Sequence, residues 1–202
     1  MHTLLDILAS GVHDAKNQLF VAETLIAAAE AQHGIELGEA RYAIESAAQR
    51  LSRTLAAYTV LRKGAAPAVT PVIVGDLCAE VVLDQKKHLT QANIVLSLSC
   101  SVVDEWLLDR DLVADMLNNA LQNAGRHART RVHLDARLDN DWLLISVEDD
   151  GSGFATLPPS GGTGLAVAHR LATLHARKGR EGRLTLSNDA SLGGARFELR
   201  LP

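Results

Sequence analysis

The chain has 202 residues, enough for one or two domains. Hydrophobic residues make up 47% of it and aromatic residues only 3%, so we expect a core of Ala, Leu, Val and Ile side chains. The formal net charge is −4 and no long basic run is present, which argues against sequence-independent nucleic-acid binding through phosphates.

The sequence shows no sign of a membrane span or of an export signal. No apolar stretch reaches the roughly 18 residues that a spanning helix needs. The N-terminus has Asp6 within its apolar part and no basic leader, unlike a signal peptide. Cys78 and Cys100 have neither metal-ligand nor disulfide-framework spacing, so we expect two buried thiols in a cytoplasmic protein.

Two helices are predicted first. Apolar residues recur every three or four positions from Leu4 to Ala29, which indicates a coiled-coil-like helix of about thirty residues that stops at Gly34. A second apolar seam runs from Ile44 to Leu61. Together they predict a helical hairpin whose narrow stripes are completed by a second copy, as a homodimeric four-helix bundle.

A linker and a second domain are predicted next. The stretch KGAAPAVTP breaks the helical pattern, so we assign residues 1–63 to the hairpin, 64–71 to a linker and 72–202 to a second domain. In that domain, strand and helix patterns alternate and favour a two-layer α/β sandwich, giving an α+β fold overall. The strands expected are VTPVIV, NIVLSLSC, RVHLDARLD, WLLISVED, RLTLSND and ARFELRLP, and the helices are GDLCAEVVLDQKKH, 111–127 and GLAVAHRLATLHARKG.

Two glycine-rich stretches are candidates for ligand contact. DDGSGF (149–154) ends a strand, and its glycines allow a sharp turn that leaves amides near a ligand. SGGTGLAVAHRL runs directly into a helix, whose N-terminal amides favour an anion such as phosphate. Each stretch is equally consistent with an ordinary turn or helix cap.

Asparagines mark the predicted helix at 111–127. Asn119 and Asn123 are four residues apart and share a face, with Asp115 and His127 near the same stripe. A solvated face is one explanation, and a carboxamide ligand for Mg²⁺ is the other.

Taken in order, N-x-x-x-N-A-x-R-H, D-x-G-x-G and G-x-G-L resemble the ATP-binding domain of sensor histidine kinases, over about residues 70–202. That domain has the Bergerat fold shared with Hsp90, gyrase and MutL ATPases. The resemblance implies that Asn123 coordinates Mg²⁺ on the ATP phosphates with Asn119 in support, and that Asp149 accepts a hydrogen bond from the adenine amino group. It further implies a nucleotide-binding role for Gly151, Gly153, Gly162, Gly164 and Arg126, and a structural one for His127.

The same family carries a phosphorylatable histidine near the start of its first helix. VHDAKN resembles the family signature H-[E/D]-x-x-[N/T] at that place, which implies that His13 is the phosphoacceptor. A neutral imidazole has one nitrogen free to act as nucleophile, and Asp14 can hold the proton on the other. Asn17 lies one turn further on, where the family orients water for dephosphorylation of its partner. Lys16 has no assigned role.

The expected function is therefore a cytoplasmic, homodimeric histidine kinase that uses Mg-ATP and passes its phosphoryl group to an aspartate of a separate response regulator receiver domain. Only twelve residues precede His13, so we expect any signal to come from a separate sensor protein or the N-terminal segment. The short lid FATLPPSG (154–161) keeps open an alternative, a histidine phosphotransfer protein with a vestigial nucleotide domain. A third class is a Bergerat-fold ATPase or serine kinase of the anti-sigma type, which needs no phosphoacceptor histidine helix.

Overall fold

A computed structural model of the chain describes residues 2–44, 47–48, 51, 66–157 and 163–202. The chain divides into two units, Met1–Gly64 and Ala65–Pro202. Within the described residues, no helix combines the length and apolar character required to cross a bilayer.

The first unit begins with a long helix, α1 (His2–His33). It ends at Gly34, whose backbone has the left-handed φ of +63° and whose N–H donates to the carbonyl of Glu30 at 2.9 Å. Glycine favours this conformation because it has no Cβ. The predicted first helix and its end are confirmed.

A second helical segment, α2 (residues 38–44), begins beside the end of α1. The guanidinium of Arg41 on α2 lies 3.5 Å from the carboxylate of Glu30 and 3.9 Å from that of Glu23. Glu30 also accepts a hydrogen bond from the N–H of Leu37 at 2.8 Å. These contacts fold the chain back at the predicted connection.

Most of the predicted second seam lies outside the described residues, so the dimeric four-helix bundle stays a prediction. On α1 the described seam residues are only half-buried in a single copy of the chain. They are Ala15, Leu19, Ala22, Ile26 and Ala29.

The second unit contains three helices and nine strands among its described residues. The helices are α3 (Val74–Gln91), α4 (Arg110–His127) and α5 (Thr163–Leu174). The strands are β1 (Thr70–Ile73), β2 (Val95–Cys100), β3 (Glu105–Leu108), β4 (Arg131–Asp139), β5 (Trp142–Asp149), β6 (Ala176–Arg177), β7 (Arg180–Glu181), β8 (Arg183–Ser187) and β9 (Arg196–Leu201).

Five of the strands form a mixed sheet in the order β2-β4-β5-β9-β8. The β2–β4 pair is parallel, and the other three pairs are antiparallel. All three helices contact this sheet, and alternate strand residues such as Leu134, Ile145 and Leu199 are fully buried. The predicted α+β architecture with a mixed sheet is confirmed.

The core depends on aliphatic side chains from the helices as well as the sheet. Leu117 and Leu121 lie one turn apart on α4 and are fully buried. Burying a leucine side chain contributes roughly 1.5–3 kcal/mol, so these layers contribute strongly to the stability of the fold. Gln85 on α3 is buried as well, and its amide donates to Oδ1 of Asn118 on α4 at 2.9 Å.

The end of the predicted linker is part of the fold. Thr70 and Pro71 belong to β1, where Pro71 is opposite Leu107 of β3 in an antiparallel pair. A two-stranded pair exposes an edge on each strand, and proline is tolerated at an edge because no N–H is required there. The strand predicted at VTPVIV therefore takes up the last two residues of the predicted linker, 64–71.

Two details of the prediction were wrong. Strand β3 was missed because its four residues show no alternation of their own and gain their partner from β1, far back in the chain. The last helix was predicted through Gly179 but ends at Leu174. Lys178 and Gly179, with φ of 50° and 74°, form the tight turn between β6 and β7.

The two thiols differ in environment. Cys78 on α3 is fully buried, and this burial raises the pKa of its thiol to about 12. Cys100 is exposed, contrary to expectation, because it ends β2 at the edge of the sheet.

A buried histidine connects the end of α5 to the start of α4. Nε2 of His175 accepts a hydrogen bond from the N–H of Asp109 at 3.1 Å, and Nδ1 lies 3.0 Å from the carbonyl of Leu171. Asp109 caps α4 through the N–H of Leu112 and also accepts from the N–H of Ala68 at 2.7 Å. These bonds require a neutral imidazole with its proton on Nδ1.

We expect His175 to make the protein less stable in mild acid. Burial lowers the pKa of His175 below its ordinary value of about 6.5. As the pH falls through that value the unfolded chain takes up a proton that the folded chain does not, so the free energy of unfolding decreases. Each pH unit by which the pKa of His175 in the folded chain lies below that in the unfolded chain changes the free energy of unfolding by about 1.4 kcal/mol.

The measurement is urea unfolding of the full chain from about pH 7.5 to about pH 5. The variant His175→Gln should show a shallower decrease in unfolding free energy over that range. His169→Gln, at an exposed position on α5, controls for the loss of a histidine. An unchanged slope in His175→Gln would contradict the prediction.

Candidate nucleotide site

Asp149 lies at the end of β5 and is buried, with 3% of its surface exposed. Its Oδ1 accepts hydrogen bonds from the N–H of Gly151 at 2.8 Å and of Ala195 at 3.2 Å. Its own carbonyl accepts from the N–H of Gly194 at 3.0 Å. The carboxylate is therefore held in one orientation by main-chain donors from two segments.

These bonds leave the other carboxylate oxygen of Asp149 available. Within the part of the chain that the structure describes, Oδ2 accepts no hydrogen bond. An ionised carboxylate is an acceptor only, so a ligand N–H group is the partner it can take. The role implied for Asp149 at the adenine amino group stays a prediction.

Two glycines are necessary around Asp149 because no side chain fits. A Cβ on Gly151 would lie 2.2 Å from the carbonyl oxygen of His127, and one on Gly194 would lie 2.3 Å from Oδ1 of Asp149. The obstructing atoms belong to the main chain or to a carboxylate held by hydrogen bonds, so moving them would cost free energy. Gly151 thus brings the turn after β5 against the end of α4.

Gly153 has a different reason to be glycine. Its φ is +73°, and a Cβ there would lie 2.7 Å from Oδ1 of Asn188. That carboxamide accepts from the N–H of Phe154 at 2.7 Å and donates to its carbonyl at 3.0 Å. Asn188, from the segment after β8, therefore fixes the point at which the predicted lid begins.

The asparagines of α4 separate into two roles. Asn123 donates from Nδ2 to Oδ1 of Asn119 at 3.2 Å, and both residues are half-buried. Among the described residues, Oδ1 of Asn123 accepts no hydrogen bond, so an oxygen donor remains for a ligand. A third asparagine of α4, Asn118, instead accepts a hydrogen bond from Gln85 and has a structural role.

The remaining predicted residues of this unit are placed as follows. Arg126 and His127 lie exposed in the last turn of α4. Gly164 lies in the first turn of α5, at the helix N-terminus where an anion was expected. Gly162 lies outside the described residues.

His13, Asp14 and Asn17 belong to α1 in the other unit. The structure describes the helical backbone at His13 and not its side chain. Asp14 and Asn17 are exposed. At 100° per residue His13 and Asn17 share one face of the helix, as the sequence predicted.

Three residues of the site were missed from the sequence: Asp150, Asn188 and Gly194. The Gly-Gly pair at 193–194 is a turn signal within the closing hairpin. Nothing local to it indicates contact with Asp149, because that contact follows from the pairing of β5 with β9.

Comparison with known proteins agrees with this geometry. Residues 108–202 match the family described as histidine kinase-, DNA gyrase B-, and HSP90-like ATPase. The matched region includes α4 with both asparagines, Asp149 and the final hairpin. This likeness to the ATPase family covers just under half of the chain.

Curated relatives of the chain include sensor histidine kinases. The virulence sensor histidine kinase PhoQ of Salmonella typhimurium is 28% identical over 128 residues, which cover 56% of this chain and 25% of PhoQ. The PhoQ of Escherichia coli gives the same identity and coverage. The chain thus matches about a quarter of the length of these curated relatives.

Solved structures extend the likeness. The ATP binding domain of PrrB from Mycobacterium tuberculosis is 28% identical with a TM-score of 0.56, over 67% of this chain and 97% of that one. Acinetobacter baumannii histidine kinase AdeS has a TM-score of 0.64 over 92% of this chain and 95% of its own, at 16% identity. At that identity the second likeness concerns the fold alone.

Proposed function

We propose that this chain is a histidine kinase that transfers the γ-phosphoryl group of Mg-ATP to His13 and then to an aspartate of a separate response regulator. The observation that carries the proposal is the presence, on one chain, of a histidine kinase-type ATPase domain and of the VHDAKN signature on α1. The signature alone could be a polar stretch on a helix, and the domain alone does not identify a phosphoacceptor.

The described residues suit the nucleotide. Oδ2 of Asp149 is the acceptor for the adenine amino group, and the carboxylate is held in place by the N–H groups of Gly151 and Ala195. Oδ1 of Asn123 is a hard oxygen donor of the kind that Mg²⁺ prefers, and Asn119 holds its amide in place. Arg126 adds positive charge at the same end of α4, and on the strength of the sequence motif we assign Gly162 and Gly164 to phosphate contact.

The chemical step depends on positioning and charge. Bound Mg²⁺ would supply neutralisation of charge on the phosphates. One nitrogen of the neutral His13 imidazole attacks the γ-phosphorus, and the bond from that phosphorus to the β-γ bridging oxygen breaks and releases ADP. Asp14 holds the proton on the other ring nitrogen and stabilises the charge that develops. To Asn17 we assign the orientation of water when the phosphorylated regulator is hydrolysed.

We infer a homodimer through the N-terminal helices, with a regulator and a separate sensor protein as further partners in the cytoplasm. Support comes from α1, where Phe20, Val21 and Leu25 are 70%, 56% and 65% exposed in one copy of the chain. Clustered exposed apolar side chains usually mark an interaction surface.

The proposal is tested by incubating the full chain with Mg-ATP labelled in the γ position. A phosphohistidine is labile in acid and stable in alkali, so the label should survive base and not acid, and EDTA should prevent labelling. A label that is stable in acid would favour the serine kinase class instead.

The alternative is a histidine phosphotransfer protein whose nucleotide domain no longer uses ATP. The short lid between Phe154 and Gly161 favours it. In that case the chain would take no label from ATP, yet would accept phosphate at His13 from a phosphorylated receiver domain.

A further inference from the structure

Asp150 is the second aspartate of the DDG turn, and no role in nucleotide contact has been assigned to it. Its carboxylate accepts hydrogen bonds from the N–H of Arg129 at 2.8 Å, of Thr130 at 3.0 Å and of Arg131 at 3.1 Å. It also accepts from the hydroxyl of Thr130 at 2.6 Å. Its side chain is only 11% exposed.

The ionised form is the one that these donors stabilise. The hydroxyl of Thr130 and then its N–H, with the neighbouring amides, hold the pKa of Asp150 well below its ordinary range. Hydrogen bonds to a charged acceptor are stronger than those between neutral groups. An amide at this position would offer one acceptor oxygen and place donors against donors.

The segment that Asp150 binds is the connection between α4 and β4. Helix α4 ends at His127, and β4 begins at Arg131. The next residue of the turn, Gly151, packs its Cα against the carbonyl of His127. Both residues that follow Asp149 therefore hold the C-terminal end of α4.

The two ends of the proposed ATP site lie on either side of this junction. The metal and phosphate side, Asn119, Asn123 and Arg126, belongs to α4. The adenine side is Asp149, which is held separately by the N–H groups of Gly151 and Ala195. Loosening the end of α4 would therefore move one side of the site and leave the other in place.

We propose that Asp150 is a positioning residue that sets α4, with its metal and phosphate ligands, at the correct distance from Asp149. This inference rests on the proposed function, because it needs a nucleotide that reaches both sides. It predicts that the two parts of the nucleotide respond differently. Weakening the contacts of Asp150 reduces the affinity for the phosphates and leaves the affinity for adenosine unchanged.

The experiment measures the Kd of the full chain for Mg-ATP and for adenosine by calorimetry. Asp150→Asn should raise the Kd for Mg-ATP about tenfold or more, since it weakens several charge-assisted bonds, and should leave that for adenosine unchanged. Thr130→Val removes only the hydrogen bond from the hydroxyl. It should raise the Kd for Mg-ATP by less than Asp150→Asn does and should also leave the Kd for adenosine unchanged. It also provides a test if Asp150→Asn does not fold.

Three results would overturn the inference. Equal weakening of both ligands together with a lower Tm would show that Asp150 only supports folding. Unchanged affinity of both variants for Mg-ATP would show that the junction does not position α4. A wild-type chain that binds neither ligand would instead overturn the proposed function itself, and this inference with it.

Discussion

Replacing His13 by glutamine is expected to abolish phosphorylation of the chain from labelled Mg-ATP. Glutamine is polar and of similar size but has no nucleophilic ring nitrogen, so the phosphoryl group has no acceptor. The loss should be complete to the limit of detection, while the Kd for Mg-ATP stays at the wild-type value, because the nucleotide residues lie in the other unit. Autoradiography and calorimetry on the same preparation separate the two readouts.

The matched control is His33→Gln, in the last turn of the same helix. His33 is exposed and has no proposed part in the reaction, so this variant should be labelled like the wild type. If His13→Gln still acquires an acid-labile label, another histidine is the acceptor and the proposed mechanism is wrong.

Replacing Asp149 by asparagine is expected to raise the Kd for Mg-ATP at least about 100-fold, because a buried charged hydrogen bond is lost and a donor then faces a donor. An amide N–H at this position suits a purine that carries a 6-oxo group. The preference for ATP over GTP should therefore fall, or reverse, in Asp149→Asn. Competition of both nucleotides against a fluorescent ATP analogue measures this ratio.

Asp104→Asn makes the same chemical change at an exposed loop position of the same unit and should leave both affinities unchanged. Thermal unfolding without nucleotide shows whether Asp149→Asn also loosens the turn that its Oδ1 holds. Should wild type and Asp149→Asn both fail to bind Mg-ATP, the phosphotransfer alternative with a vestigial nucleotide domain would be favoured.

Much of the fold was predictable because it depends on local patterns. The end of α1 at Gly34 follows from one residue that tolerates positive φ. The turn at Asn140 is similar, with φ of 49° between two predicted strands. Helix α4 was predicted to within one residue at its start, since its apolar repeat spans its whole length. In each case the signal and the structure occupy the same stretch of chain.

The errors have the opposite origin. Strand β3 was missed because it exists only through its pairing with β1. Helix α5 ends just before His175, which is buried and accepts a hydrogen bond from the N–H of Asp109. No window around these residues contains the partner that decides their conformation.

The sequence by itself determined which groups are chemically available: the imidazole of His13 with Asp14 and Asn17, the paired carboxamides of Asn119 and Asn123, and a carboxylate followed by glycines. Spacing along a helix or turn is a property of the local backbone and can be read directly. Only the tertiary structure decided how they are held. Asp149 acquires Ala195 and Gly194 through the pairing of β5 with β9, and Asp150 acquires the end of α4, because sheet pairing and loop packing join residues that are distant in the chain.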